Sequence, residues 1–147
     1  MVVLLWLFLP AQAQAQAIEW YQSESTHHTI KRLSSTLDIS NPEEIKLCEN
    51  YGCKKRTYIS LNKSHFKHLN QLFKTETDIA RYERLAISRA IGYLELVAGK
   101  QSNIYRDKGK NYQDQKGTGY LDCIAESINT LTWLKLIEQQ QLLTHHS

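Results

Sequence analysis

The chain predicts an α+β fold that is mostly helical, with one small strand element near residues 56–61 and a long cysteine-headed helix at its C-terminal end. Three observations lead there. Apolar residues recur three to four positions apart in successive segments after residue 62, the pattern of helices with one buried face. A single β-branched and aromatic run, Arg56 to Leu61, reads as a strand. Finally, the glycine-broken stretch Gly117-Thr118-Gly119 delivers Cys123 to the start of an apolar run that extends to Leu143.

Residues 1–17 read as a secretory signal peptide. Val2 to Leu9 is apolar but too short to span a bilayer. Pro10 breaks it, and the Ala-Gln repeat that follows offers overlapping A-x-A cleavage sites ending at Ala17. No Lys or Arg precedes the apolar core, so the expected positive end of a signal is missing. Residues 18–147 are then one exported domain, periplasmic or secreted, with no integral membrane segment after signal removal. The net charge is +3, from 18 basic and 15 acidic residues. That balance suits a soluble protein and argues against nucleic acid as its partner.

Ile18 to Asn41 is polar, with Ile30, Leu33 and Leu37 spaced for a short helix. His27 and His28 lie in a Ser/Thr-rich stretch and read as surface residues. Cys48-Glu49-Asn50-Tyr51-Gly52-Cys53 places two cysteines on either side of turn-forming residues. In an exported chain they predict a Cys48–Cys53 disulfide. The competing reading is a zinc site with His65 and His68, whose spacings do not fit. The expectation is therefore no metal and no cofactor.

Asn62 or Ser64 can cap a helix bearing Phe66, Leu69, Leu72 and Phe73. His65 and His68 on or beside that face predict a structural or surface role. Thr75 or Thr77 then opens a longer helix with Ile79, Tyr82, Ala86, Ala90, Tyr93 and Val97 as its periodic face, stopping at Gly99. Glu83 and Glu95 fall off that face, and the helix reads as packing alone. Lys100 to Gly119 has no periodicity and carries five basic residues against two acidic ones up to Lys116. It reads as a functional or disordered loop.

The loop delivers Cys123 to the helix. A helix start favours the thiolate through free N–H groups and the helix dipole, and a basic loop adds to that. Cys123 is the candidate nucleophile, with a small buried core residue as the competing reading. A thiol hydrolase also needs a base in hydrogen-bond reach of sulfur. His145 and His146 follow the same helix and, were it continuous, would lie about 30 Å from the sulfur.

The run Asp122-Cys123-Ile124-Ala125-Glu126-Ser127-Ile128-Asn129-Thr130, with its aromatic-Leu pair Trp133-Leu134, resembles a family of uncharacterised exported bacterial proteins. Tyr51-Gly52-Cys53 and Arg89-Ala90-Ile91-Gly92 match the same family, so the resemblance covers Leu47 to Leu143. The motif is Asp-Cys-Ile-x-Glu-x-x-Asn-Thr. Its cysteine-headed helix is in turn similar to those of transglutaminase-like and papain-like thiol enzymes. The resemblance implies an amide hydrolase acting on a peptide or protein substrate, with Cys123 as nucleophile. Position 125 is Ala where the family has Asp. Family members also continue into strands carrying His and Asp, which implies that this chain is C-terminally truncated and inactive as it stands. The alternative expectation is a non-catalytic exported binding module with Cys123 in the core. Truncation would leave apolar surface exposed on the last helix, at Leu131, Trp133, Leu134, Leu136, Leu142 and Leu143.

Overall fold

The computed structural model describes residues 37, 39–74, 79–107 and 119–146. The signal-like segment, most of the Ile30–Leu37 pattern, His27 and His28, the capping candidates Thr75 and Thr77, and Lys108, Lys110 and Lys116 lie outside them. The described chain is α+β, with three α-helices and one two-stranded antiparallel sheet.

The sheet is a hairpin of β1 (Ile45–Glu49) and β2 (Lys55–Ile59), with Ile45 opposite Ile59 and Cys48 opposite Arg56. The strand expected at Arg56–Leu61 is thus β2, shifted by one to two residues. Its partner β1 escaped notice because Lys46 and Glu49 break up the apolar run, yet Ile45, Leu47 and Cys48 are all buried. A turn at Tyr51–Cys53 joins the strands, with Asn50, Gly52 and Cys53 at positive φ. Cys48 and Cys53 are disulfide-bonded across that turn. Both sulfurs are consumed, which removes them from any zinc site with His65 and His68. Loop entropy alone makes a bridge this short worth about 2 kcal/mol.

Helix α1 (Lys63–Phe73) begins at Asn62, whose side chain accepts from the Ser64 and His65 N–H groups. His65 Nδ1 returns the bond by accepting from the Asn62 N–H at 3.1 Å. His65 is therefore a cap partner, and His68 lies against the Tyr93 ring. Helix α2 (Ala80–Gln101) passes through Gly99 before ending. Its buried face is Glu83, Ala86, Ala90, Leu94, Val97 and Ala98. Ile79 and Tyr82, expected inside, are exposed. The face is rotated because Glu83, expected off the periodic face, and Leu94 hold the inner side. The expected loop after Gly99 includes the end of α2 and a 3-10 turn, Asn103–Arg106, that buries Ile104.

Helix α3 (Cys123–Gln139) buries Ala125, Ile128, Asn129, Thr132, Trp133, Leu136 and Ile137, a continuous three-to-four stripe. Trp133 and Leu136 are core, and none of the six residues expected to form an exposed patch is among the exposed large apolar residues. The helix stops at Gln139 rather than Leu143, and Gln141 turns the chain at φ 55. Among the described residues no helix is long and apolar enough to cross a membrane.

Two side-chain amides seal the hairpin edges. Asn129 of α3 accepts from the Cys48 N–H at 2.7 Å and donates to the Cys48 carbonyl at 3.1 Å. On the opposite edge, Gln101 of α2 accepts from the Ser60 N–H at 2.8 Å and donates to the Ser60 carbonyl at 2.9 Å. Each amide stands in for a neighbouring strand residue, satisfying groups that a sheet edge leaves open.

Candidate functional site

The polar residues of the cysteine motif do structural work. Asp122 caps α3 by accepting from the Ala125 N–H, and its other oxygen accepts from the Gly52 N–H at 2.6 Å in the disulfide turn. Asn50 in that turn accepts from the Gly119 N–H. With Asn129 on Cys48, these bonds fasten the start of α3 to the disulfide hairpin. Asp122 and Asn129 thus bracket the cysteine as a brace.

Cys123 itself is free and exposed. The expectation of a core cysteine is corrected. The buried stripe of α3 begins at Ala125 and repeats every three or four residues, which leaves Cys123 on the opposite side. The histidines described are committed elsewhere. His65 caps α1, His68 packs on Tyr93, and the His145 and His146 N–H groups donate to Glu83. None of these contacts pairs an imidazole with the sulfur. The oxidised protein should show a single thiol, Cys123, alkylated by iodoacetamide in the native state as fast as after unfolding. A bridge involving Cys123, or protection until unfolding, would contradict its placement.

One turn along α3 from Cys123, Glu126 lines a cleft of about 730 Å³ between α2, the 3-10 turn and α3. Ile91, Leu96, Ile104 and Leu121 provide apolar wall, and Glu95, Asp107 and Glu126 bring three carboxyl groups to it. Each is placed by the fold. Trp133, fully buried, donates its indole N–H to Glu95 Oε1. Asp107 Oδ1 accepts from the Leu121 N–H at 2.9 Å. The Asp107 side chain acts on Glu126 through its charge and close approach.

The groups disturb one another. Burial pushes the Glu95 carboxyl up, against the Trp133 hydrogen bond, and Asp107 and Glu126 add repulsion. Burial also raises Glu126, reinforced by the charge and hydrogen bond of Asp107 and by Asp122. The cleft therefore lets each glutamate keep its proton to higher pH than an isolated carboxylate would. A cation entering it would replace that proton. Lys100 is the basic residue in the lining.

Sequence reasoning missed this site. Glu95 read as solvent-facing on a packing helix, Asp107 as part of a polar loop, and Glu126 as a motif residue without a role. The available signal was the repeat Ile91, Glu95, Gly99, one α2 face on which a carboxylate sits between an apolar and a small residue. No protein-family model, curated protein or solved structure matches this chain. Among the described residues no group of three or more His, Cys, Asp or Glu is arranged to hold a metal ion.

Proposed function

We propose that this chain is an exported, non-catalytic binding module that seats a cationic group on an apolar stem, such as a basic side chain of a partner peptide or protein. The observation that carries this reading is the cleft, where apolar walls and three converging carboxyl groups share one opening. Ligand sites combine these features, a mostly apolar lining with a few placed polar groups whose titration is disturbed. Export rests on the pattern of residues 1–17, and the Cys48–Cys53 bridge supports it because disulfides persist in oxidising compartments.

A second reading, the thiol-bearing part of a transglutaminase-like or papain-like amide hydrolase, is favoured by the exposure of Cys123 at the first position of a 17-residue helix. It requires an imidazole at the sulfur, and Asp122 and Asn129 are already occupied by the brace.

Titration with n-hexylamine, n-hexanol and hexanoate separates charge from apolar contact. Hexylamine should bind with a Kd of about 1 mM at neutral pH, and the alcohol and the acid at least about tenfold more weakly. Because the Glu95 and Glu126 carboxyls titrate above their ordinary range, hexylamine affinity should still be climbing above about pH 4.5, where ordinary glutamates are ionised. Equal binding of all three probes, or a flat pH profile, would overturn the proposal.

A further inference from the structure

The acidic residue that this reading leaves unused is Glu83, in the first turn of α2. Its side chain is fully buried. The Thr144 N–H donates to Oε2 at 2.8 Å, the His145 N–H to both oxygens at 2.8 and 3.1 Å, and the His146 N–H to Oε1 at 3.0 Å. His146 Nδ1 lies 3.1 Å from Oε1. Three consecutive backbone N–H groups closing on one anion form a nest, here filled by a carboxylate of the same chain. Thr144, His145 and His146 are themselves exposed. Little apolar burial therefore holds them down, and the attachment is electrostatic.

We propose that residues 144–146 form an acid-releasable strap, fastened to the start of α2 by the Glu83 carboxylate and freed when that carboxylate takes up a proton. A protonated carboxyl gains an O–H and loses the charge on which the nest closes. The helix dipole at the start of α2 favours the ionised form in the same way. The charged and titratable groups at the contact are His146, on Glu83; His145, beside it; and Arg84, whose Nη1 lies 3.5 Å from His146 Nε2. Burial pushes the Glu83 carboxyl up, but the hydrogen bonds from Thr144, His145 and His146 outweigh it and hold the group below its ordinary value. The sign follows. Stability from the strap is fully present above the unfolded glutamate value of about 4.5 and is lost as pH falls through the lower folded value. Release frees 144–146 and uncovers the Glu83 side of α2.

Hydrogen exchange read by mass spectrometry on the full chain tests this, with intrinsic rates corrected at each pH. In the wild type, protection of the 144–146 amides should hold from about pH 8 to about pH 5. It should disappear at lower pH while the α3 amides around Trp133 stay protected. Glu83→Gln should exchange those three amides about tenfold faster or more at every pH, and His146→Gln, which removes the imidazole at 3.1 Å from Oε1, should move the pH midpoint upward. The wild-type titration stands by itself if Glu83→Gln fails to fold. Protection unchanged in a folded Glu83→Gln, a wild-type midpoint in the histidine range at about pH 6.5, or opening of the strap only together with α3 would overturn the proposal.

Discussion

Gly119→Ala should destabilise the fold by about 3 kcal/mol or more, through backbone strain and steric overlap together. Gly119 sits at φ +98, and a Cβ there would lie 2.0 Å from the Asn103 carbonyl oxygen and 2.8 Å from its carbon. Those atoms are backbone, so no side-chain rotation relieves the overlap. The 3-10 turn would have to move, taking with it the buried Ile104 and the cleft residue Asp107. The Gly119 N–H bond to Asn50 would be strained as well. Gly52→Ala is the matched control. Gly52 is also at positive φ, +64, but nothing lies within 4 Å of the place a Cβ would take there. Its cost should be the conformational one alone, about 1–2 kcal/mol. Urea denaturation of both variants measures the difference. Equal losses, or a loss below about 1 kcal/mol for Gly119→Ala, would show that the turn and the start of α3 are not in this close contact.

Asn129→Ala should cost about 2–6 kcal/mol. Its amide satisfies both the N–H and the carbonyl of Cys48, and all of these groups are buried. Removing it leaves two buried backbone groups without partners, each costing about 1–3 kcal/mol. Asn129→Asp separates this role from simple packing. An aspartate keeps the acceptor for the Cys48 N–H but sets a second oxygen against the Cys48 carbonyl. It should therefore be nearly as damaging at neutral pH and recover partly in acid, where a protonated carboxyl again supplies a donor. If Asn129→Ala lies within about 1 kcal/mol of the wild type, the brace is not what holds the hairpin to α3.

These two positions mark how far the sequence could be read. The α+β class, the Asn62 cap, the strand near 56–61, the Cys48–Cys53 bridge and a helix headed by Cys123 follow from local patterns, because each depends on near neighbours in the chain. The structural roles of Asp122 and Asn129 were not legible, since their partners, Gly52 and Cys48, lie far back in the sequence. Polar residues at the start of a cysteine helix suit catalysis or a clamp equally well until those partners are known. The cleft was less legible still. Glu95, Asp107 and Glu126 belong to three separate elements, and only the packing of α3 against α2, with Trp133 under Glu95, brings them together. Glu83 read as a surface charge because a buried carboxylate needs donors, and those donors are backbone N–H groups that carry no sequence signature.

Calorimetric titration of n-hexylamine at neutral pH into the wild type, Cys123→Ala and the double variant Glu95→Gln/Glu126→Gln tests the central claim, that the cysteine motif braces the fold while the carboxyl cleft binds. Cys123→Ala should bind as the wild type does. The double variant should lose about tenfold or more in affinity with no loss of thermal stability, since neutral amides relieve the repulsion among these groups. Undiminished binding by the double variant, or loss of binding in a folded Cys123→Ala protein, would contradict the account and return attention to the thiol.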